Sequence, residues 1–467
     1  MKILLINPPQ YSAYGKGLDI PAFFPIGLGY IGAVLEENGY DVDLIDVDNQ
    51  KISDDHIAEK LKNGNYGLVG ITATSPTIGS AFKLAHFIKS KVDTRIVLGG
   101  VHPTIFPEHS FESPDIDFTI RGEGEDSILE LVRALDKGGD FKKILGLSFR
   151  GDNKVFHNQP RTLIMDLDRI PFPMTHRLNT SHYTFANALM KRIAPMITSR
   201  GCPGRCTYCC TQKMFGTKMR YRSANNVLRE MLYLKDEFDI QELHMWDDNF
   251  ISNKNFVIEL RNLMKERKLT FKISLMNGVR VDYFSEEIAG YLKDMGVYSV
   301  GFGFESGNQK ILNGVRKGIK LETSMKAIRI AKQFGFETWG FFMLGLIGDD
   351  EKSINETIKF ALKLDPDIAK FHILKPFPGT EVYEQLKRSG LLLSEDFDRY
   401  SIHSEPVHKL PALTGDDLMA LQRKAYRTFY FRPKMIFKQI LNLKTFERAK
   451  ANAKAAMNIF NMTKGRS

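Results

Sequence analysis

The sequence predicts an α/β protein with two consecutive parts, an N-terminal doubly wound (Rossmann-like) domain and a partial (β/α)6 TIM barrel, followed by a helical C-terminal tail. In residues 1–150, short apolar runs of strand length alternate with amphipathic runs of helical period. The same alternation resumes at Ala194 and gives six strand–helix units by residue 400. Residues 151–193 hold a hairpin signal and a proline-containing linker, and residues 401–467 form a basic, helical C-terminal region.

Five apolar runs and four amphipathic runs define the first domain. The strands are predicted at Ile3–Ile6, Val42–Asp46, Leu68–Thr72, Ile96–Leu98 and Phe118–Ile120, and the helices near Gly27–Asn38, Asp54–Lys62, Ile78–Lys89 and Ser127–Leu135. Doubly wound sheets bind ligands beyond the carboxyl ends of their strands. Distinctive loops follow four of these strands, so we expect the ligand site of the first domain at that edge.

The barrel strands are predicted at Pro195–Thr198, Glu242–Trp246, Lys272–Met276, Ser299–Phe304, Thr338–Leu344 and Ala369–Leu374. Catalytic groups of TIM barrels lie at the carboxyl ends of the strands. Polar segments occupy that position after four strands: Asp247–Asn249, Glu305–Gly307, Gly345–Glu351 and Lys375–Thr380. The sequence therefore predicts an active site at this end of the barrel.

Composition is that of an ordinary soluble protein, with 43% apolar and 26% charged residues. The run Ile3–Ile6 is too short for a signal peptide, and Ile20–Leu35 is interrupted by two prolines and is shorter than a membrane span. We therefore expect a cytoplasmic protein.

The net charge of +10 lies almost entirely in the tail. Twelve basic residues and one acid, Glu447, follow position 422, so the rest of the chain carries a net charge of −1. We expect the tail helix to pack its aromatic side chains on the barrel; the alternative is peripheral contact with an anionic membrane. Nucleic acid is not expected as a partner, because no RNA-binding module is visible.

All four cysteines lie between positions 202 and 210. Cys202, Cys206 and Cys209 are spaced Cys-x3-Cys-x2-Cys, and three such thiolates can hold an iron–sulfur cluster with one iron open. Structural zinc is disfavoured, because it uses four ligands from two separated knuckles and the sequence has one. Cys210 is interpreted as a buried thiol that does not bind the cluster.

This loop resembles the signature loop of the radical S-adenosylmethionine (SAM) superfamily, with Gly201 before the first cysteine and Tyr208 before the third. The resemblance implies a 4Fe-4S cluster whose open iron is chelated by SAM, which is cleaved to a 5′-deoxyadenosyl radical. The SAM contacts that it implies are Tyr208, Asp247, Asp248 and Glu305.

The loops of the first domain resemble those of the cobalamin-binding domain that precedes the barrel in many radical SAM enzymes. The cobalamin contacts implied are Pro8, Pro9, Thr74, Ser75, Gly99, Gly100, Val101, Gly122 and Glu123. Cobalamin mutases carry a cobalt-binding histidine in an Asp-x-His-x-x-Gly loop, but the corresponding loop here has none, so cobalamin would be base-off without that ligand. A domain that no longer binds the cofactor is the alternative. His102 is interpreted as an ordinary loop histidine.

Together these resemblances imply a cobalamin-dependent radical SAM enzyme that methylates an unactivated carbon with a methyl group from methylcobalamin. The alternative is an oxidation, cyclisation or rearrangement like that of the oxygen-independent magnesium-protoporphyrin ester cyclases. A non-catalytic cobalamin carrier or redox sensor would not need the SAM contacts. The implied partners are a small-molecule or lipid substrate and an electron donor such as flavodoxin or ferredoxin.

Overall fold

A computed structural model describes residues 1–10, 24–151, 154–177, 183, 185 and 188–435. The strands of the first domain are β1 (Lys2–Asn7), β2 (Asp41–Asp46), β3 (Tyr66–Thr72), β4 (Arg95–Gly99), β5 (Phe118–Ile120), β6 (Leu147–Gly151) and β7 (Lys154–His157). They form one sheet in the order β2-β1-β3-β4-β5-β6-β7. The first five are parallel, and the β6–β7 hairpin extends the sheet in antiparallel fashion.

Helices cover both faces of this sheet. They are α1 (Ile26–Glu37), α2 (Asp54–Gly64), α3 (Ile78–Lys91), α4 (Val101–Ile105), α5 (Pro107–Ser110) and α6 (Glu125–Lys137). α1 and α6 bury apolar side chains on one face, and α2 and α3 do so on the other. The strand order reverses between β1 and β3, and doubly wound sheets bind their ligands at such a switch point.

A short ribbon and six parallel strands follow. The strands are β8 (Ile193–Met196), β9 (Ser199–Arg200), β10 (Arg220–Tyr221), β11 (Glu242–Met245), β12 (Lys272–Val279), β13 (Val297–Glu305), β14 (Glu337–Leu344) and β15 (Ile368–Ile373). β9 and β10 pair with each other, and the others form a sheet in the order β15-β14-β13-β12-β11-β8. All neighbours in this sheet are parallel, which is the arrangement of a partial barrel.

The barrel helices are α7 (Thr211–Phe215), α8 (Ala224–Phe238), α9 (Lys254–Glu266), α10 (Glu286–Asp294), α11 (Gln309–Gly314), α12 (Leu321–Gln333), α13 (Glu351–Leu364) and α14 (Glu381–Arg388). Ser223, Asn253 and Ser285 cap α8, α9 and α10, because each side chain accepts a hydrogen bond from a backbone N–H of the first turn. The longer helices bury their apolar faces against the outer side of the strands and form the main core.

The C-terminal region connects the two domains. Phe397 and Tyr400 belong to the core of the first domain, whereas the Nε2 atom of His408 lies 2.9 Å from the Gly345 carbonyl oxygen of the barrel. Residues 391–413, which we name the strap, therefore contact both. Helix α15 (Gly415–Tyr430) follows, with Phe429 fully buried against the barrel.

The structure confirms every predicted strand and helix of both domains, with ends that shift by a few residues. The tail was predicted to pack its aromatic side chains, and this is confirmed for Tyr426, Phe429 and Tyr430, whereas Phe431 is 50% exposed. Ile436, Phe437, Ile440, Leu441 and Phe446 lie outside the described residues. Part of the predicted linker belongs to the first core, where Ile164, Leu167, Ile170 and Met174 are buried. The predicted domain boundary at 150 falls within the β6–β7 hairpin.

Among the described residues, no helix is both long and apolar enough to cross a membrane.

Candidate active site at the cysteine loop

The cysteine loop is held between β9 and β10. Gly201 has φ +101°, and a Cβ atom at this position would lie 2.6 Å from the Lys218 carbonyl oxygen. Only glycine allows this close approach. The Gln212 side chain donates a hydrogen bond to the Gly204 carbonyl oxygen at 2.9 Å, which folds α7 back onto the loop. The backbone therefore presents a short, closed turn on which the thiols are mounted.

Two of the three predicted cluster ligands flank one glycine. The Sγ atoms of Cys202 and Cys206 lie 3.4 and 3.7 Å from the position that a Cβ atom of Gly204 would take. The Cys209 thiol donates to the Thr211 hydroxyl at 3.3 Å. Within the described residues, no group of three Cys, His, Asp or Glu side chains is close enough together to hold a single metal ion. A four-iron cluster is a larger body and would need the thiolates spread around it.

Cys210 differs from the other three cysteines. It is the N-cap residue of α7, and burial raises the pKa of its thiol to about 11. Burial also raises the pKa of the Cys202 and Cys209 thiols, so the pKa does not separate Cys210 from the predicted ligands. That Cys210 is not a cluster ligand stays a prediction.

Asp247 and Asp248 follow β11 but face different groups. One oxygen of Asp247 accepts hydrogen bonds from the Thr198 N–H at 3.1 Å and the Thr198 hydroxyl at 2.8 Å, and the residue is 2% exposed. Asp248 is less buried and accepts a hydrogen bond from the Thr211 hydroxyl at 3.1 Å. Burial raises the pKa of Asp248 to about 6. Asp248 is therefore connected to Cys209 through Thr211, while Asp247 anchors the first barrel strand.

Glu305 ends β13 in a left-handed conformation with φ +61°. Its carboxylate accepts a hydrogen bond from the Lys317 ammonium at 2.7 Å, and both side chains are nearly buried. The Arg280 guanidinium donates to the Lys317 carbonyl oxygen at 3.1 Å and lies beside Gly204. Two cations, Lys317 and Arg280, thus lie next to the cysteine loop, and the sequence analysis assigned a role to neither.

Three buried polar atoms near the loop have no hydrogen-bond partner in the described part of the chain. They are the Tyr208 hydroxyl, the Asp247 Oδ2 atom and the Asn249 Nδ2 atom. Buried polar groups are almost always paired, so such a cluster indicates a polar ligand. SAM, with an ammonium, a carboxylate and a ribose, offers donors and acceptors for these atoms. The residues present therefore fit SAM at this end of the barrel.

A cavity of about 180 Å³ extends from the sheet of the first domain to residues that flank the cysteine loop. Leu5, Thr72, Val97 and Gly99 line it from the sheet, and α1 lines the opposite side. On the barrel side it is lined by Ile197, Arg200, Met214 and Phe215. The cavity therefore belongs to both domains.

Glycines keep this cavity open. Gly27 and Gly99 both line it, neither has a positive φ angle, and a Cβ atom on either would meet no protein atom within 4 Å. Neither the backbone conformation nor close packing requires glycine at these two positions. We infer that glycine is present there because a larger side chain would fill the cavity. Gly100 has a different cause: its φ is +104°, and a Cβ atom would lie 2.8 Å from the Ala73 carbonyl oxygen. A slot bounded by apolar side chains and bare backbone fits the nucleotide end of cobalamin.

The structure brings four of the nine predicted cobalamin contacts to this cavity: Gly99, Gly100, Gly122 and Glu123. Pro8, Pro9, Thr74, Ser75 and Val101 are not among its lining residues. The Ser75 hydroxyl instead lies 3.0 Å from His102 Nδ1, and the Thr74 hydroxyl lies 3.0 Å from that of Thr77. His102 is fully buried, and its Nε2 atom lies 3.0 Å from His109 Nδ1. Thr72, which lies two residues before Thr74, is the hydroxyl-bearing residue that lines the cavity.

Buried ion pairs join the first domain to the cysteine loop. Arg200 donates to Glu123 at 2.9 Å and also pairs with Glu125, and Arg220 donates to both oxygens of Glu123 at 2.8 Å. All four side chains are buried. The carboxylate of Glu123, predicted to contact cobalamin, is thus bonded to two arginines. Sequence reasoning missed Arg220; the one available signal was that the loop region 199–223 contains six basic residues and no acid.

Comparisons with known proteins agree with this geometry. A model of the radical SAM superfamily matches residues 196–361, and a model of the B12 binding domain matches residues 22–132. An uncharacterized methyltransferase of Pyrococcus horikoshii is 37% identical over 444 residues, which cover 94% of this chain and 95% of the relative. The chain belongs to the cobalamin-dependent radical SAM family. A cytidylyl-2-hydroxyethylphosphonate methyltransferase of Streptomyces wedmorensis is 30% identical, with coverage of 92% and 90%.

Solved structures of this family share the fold. The radical SAM methyltransferase TsrM of Kitasatospora setae matches with a TM-score of 0.70 at 20% identity, covering 83% of this chain and 75% of TsrM. The cobalamin-dependent radical SAM enzyme OxsB matches with a TM-score of 0.77 at 16% identity, covering 99% of this chain and 71% of OxsB. The predicted family and fold are thereby confirmed, and the protein is an enzyme whose cofactors are a 4Fe-4S cluster, SAM and cobalamin. The base-off form of cobalamin stays a prediction.

Proposed function

We propose that the enzyme methylates an unactivated carbon of its substrate and uses SAM twice, as the source of the 5′-deoxyadenosyl radical and as the methyl donor. The observation that carries this proposal is the cavity that extends from the glycine-lined slot of the first domain to Arg200, Met214 and Phe215, which flank the cysteine loop. A methyl carrier in that slot would lie beside the site of SAM cleavage. The two uses of SAM require both sites in one chain.

When bound, the cofactors would pass on the electron that cleaves SAM and would carry the methyl group. Each turnover needs two electrons from an external reductant, one for SAM cleavage and one to make the methyl carrier ready for the next methyl group. The products of one turnover are methionine, 5′-deoxyadenosine, S-adenosylhomocysteine and the methylated substrate. Cys202, Cys206 and Cys209 would hold the cluster. Asp247, Asp248 and Asn249 would receive the amino acid end of SAM, Tyr208 would also contact SAM, and Glu305 would receive its ribose or amino group. Lys317 holds the Glu305 carboxylate in place, and the ion pairs of Arg200 and Arg220 fix the distance between the two domains.

Relatives support methyl transfer, since the two with the highest identities quoted above are named methyltransferases. An anaerobic magnesium-protoporphyrin IX monomethyl ester cyclase of Rubrivivax gelatinosus is 29% identical, with coverage of 92% of this chain and 77% of the relative. A cyclase-like reaction would use SAM only as a radical source. It is therefore one of the outcomes that the product analysis below distinguishes.

We propose further that an acidic electron carrier, such as flavodoxin or ferredoxin, docks over the cysteine loop. Arg205, Lys213 and Lys218 are exposed there and make no ion pair within the described residues. Complementary charge speeds the encounter of such proteins. Lys213→Glu combined with Lys218→Glu should slow cluster reduction by flavodoxin at low salt and leave reduction by dithionite unchanged. Equal slowing with both reductants would contradict this docking face.

The basic tail is our proposed site of peripheral membrane contact, and a cytoplasmic location stays a prediction. The structure sharpens its test, because α15 is part of the barrel core and must be kept. A chain ending at Met435 should fold and no longer bind anionic vesicles at low salt, if the full-length protein binds them. Full-length protein that ignores such vesicles would end this proposal.

The proposed function is tested first without a substrate. Reconstituted enzyme with reduced cobalamin and SAM should form S-adenosylhomocysteine, because loading of the methyl carrier does not require the substrate. Formation of S-adenosylhomocysteine should be lost on omission of cobalamin. Bound cobalamin with no S-adenosylhomocysteine would instead favour the cyclase-like reaction.

A further inference from the structure

The concave side of the barrel, which we name the lumen, contains two basic side chains that the proposed function leaves unused. They are Lys370 and His372 of β15. Phe371, between them, contacts Tyr426 and Phe429 of α15 on the outer side of the barrel. Because successive side chains of a strand point to opposite faces, Lys370 and His372 point into the lumen.

Aromatic side chains confirm which side is the lumen. The ring of Phe185 lies 5.3 Å from that of His244 on β11 and 6.5 Å from that of Trp339 on β14. β12 and β13 separate these two strands in the sheet, so a ring that contacts both must lie on the concave side. The Lys370 ammonium lies 5.9 Å from the centre of the Trp339 ring. Lys370 is therefore at the aromatic wall of the lumen.

Neither basic side chain has a charge partner among the described residues. Within the part of the chain that the structure describes, Lys370 and His372 make no ion pair and no side-chain hydrogen bond, although both are more than half buried. Burial lowers the pKa of Lys370, and burial together with the Lys370 charge lowers that of His372 to about 4. His403 of the strap is near enough for the Lys370 charge to act on it as well. Long basic side chains are almost never buried without a partner.

The carboxylates of the lumen are occupied elsewhere. Glu242 accepts hydrogen bonds from His244 at 2.8 Å and Tyr298 at 2.6 Å, and Glu337 accepts one from the Trp339 indole at 3.1 Å. Lys370 pairs in register with Phe341, four residues beyond Glu337, which is about 13 Å along a strand. The positive charge of Lys370 therefore remains available to a ligand.

The strand register also gives the distance between Lys370 and the SAM site. Gly303 of β13 pairs with Phe341, which pairs with Lys370, so Lys370 lies two strand spacings, about 10 Å, from the strand that ends in Glu305. Gly301 makes room for the Phe341 ring, because a Cβ atom there would lie 2.8 Å from it. A molecule of substrate size can thus contact Lys370 at one end and reach the SAM site with the other.

We propose that Lys370 and His372 bind an oxyanion of the substrate, a phosphate-type group or a carboxylate, and that the Trp339 and Phe341 rings line the path from there to the SAM site. This inference rests on the proposed function, since it assigns the substrate class of the same active site. The ammonium of Lys370 supplies the charge, and the His372 imidazole donates a hydrogen bond. Binding of the anion would offset the cost of the unpaired cation.

The test uses reconstituted holoenzyme and two probes, methylphosphonate for phosphate-type groups and acetate for carboxylates, titrated by calorimetry. We expect saturable binding of at least one probe, weakened by tenfold or more in Lys370→Met, weakened less in His372→Gln, and retained in Lys370→Arg. The matched control is Lys142→Met, because Lys142 also lies over an aromatic ring, that of Phe156, but is exposed in the first domain. SAM binding should be unchanged in all four variants.

Each outcome of these titrations tests one part of the inference. Stronger binding of methylphosphonate would assign a phosphate-type substrate, and stronger binding of acetate a carboxylate. Wild-type enzyme that binds neither probe, or a Lys370→Met variant that binds as well as wild type, would overturn the inference. Formation of S-adenosylhomocysteine in the absence of substrate does not require the lumen. If the wild-type enzyme forms none, that result contradicts the proposed function and leaves the anion site in the lumen untouched.

Discussion

The cavity of the first domain and the mouth of the barrel are built by opposite means. The cavity exists because side chains are left out, at Gly27 and Gly99, where a Cβ atom would meet nothing. The mouth of the barrel instead holds buried polar atoms, on Tyr208, Asp247 and Asn249, that have no hydrogen-bond partner among the described residues. The difference teaches that a large cofactor bounded by apolar surface is accommodated by space, whereas a small zwitterion is held by matching polar groups.

The largest expected effect comes from substitutions of the predicted cluster ligands at the mouth of the barrel. Ala in place of Cys202, Cys206 or Cys209 should abolish both the cluster and SAM cleavage, because two thiolates cannot hold the open-iron cluster. Wild type should contain about four irons per chain after anaerobic reconstitution. Iron analysis and 5′-deoxyadenosine formation measure the two losses.

Cys210→Ala is the matched control for these variants. It should keep the iron content and SAM cleavage of wild type, since Cys210, the N-cap residue of α7, lies outside the Cys-x3-Cys-x2-Cys pattern. Loss of the cluster in Cys210→Ala alone would show that the ligand assignment is wrong.

In the cavity of the first domain, a side chain that fills the space should be enough to prevent cobalamin binding. We expect Gly99→Leu to remove stoichiometric cobalamin binding while iron content and the melting temperature remain near those of wild type. Gly290→Leu is the control, because a Cβ atom there meets only the Phe334 ring at 3.7 Å, outside the cavity. Cobalamin binding by Gly99→Leu as tight as by wild type would mean that the slot is not the cofactor site.

The two sites were not equally predictable from the sequence. Clustered cysteines and carboxylates after barrel strands are local patterns, so Cys202, Asp248 and Glu305 could be placed without coordinates. The cavity depends on which side of a loop faces the sheet edge, and the sequence could not show that Thr72 lines it while Ser75 turns to His102. Hydrogen-bond partners that come from other segments of the chain could not be predicted either; Lys317, which pairs with Glu305, is an example.

The connection between the two sites can be tested through its ion pairs. Glu123→Gln would leave Arg200 and Arg220 buried without their shared charge, and loss of one partner of a buried ion pair typically costs about 3–5 kcal/mol of unfolding free energy. The exposed pair of Arg316 and Glu381 is the control, and Glu381→Gln should cost less than about 1 kcal/mol. Equal losses for the two variants in urea unfolding would contradict a structural role for the buried network.

A smaller effect is expected from pH at the strap. Burial lowers the pKa of His408 to about 4, so this imidazole is neutral in the folded chain, whereas its unfolded pKa is near 6.5. Between these values the unfolded state binds more protons, and the free energy of unfolding falls as the pH drops, by up to about 1.4 kcal/mol per pH unit for this group. His408→Gln should make urea unfolding less dependent on pH between 7 and 5.5. An unchanged dependence would mean that His408 titrates normally in the folded chain.

The central claim, that one chain uses SAM for both radical formation and methyl donation, is tested most directly by counting products. Reconstituted enzyme with cobalamin, reductant, SAM and a substrate-containing small-molecule fraction should release 5′-deoxyadenosine and S-adenosylhomocysteine in comparable amounts. A SAM sample with a deuterated methyl group should label the product. Release of 5′-deoxyadenosine without S-adenosylhomocysteine, with cobalamin demonstrably bound, would contradict methyl transfer and establish SAM as the radical source alone.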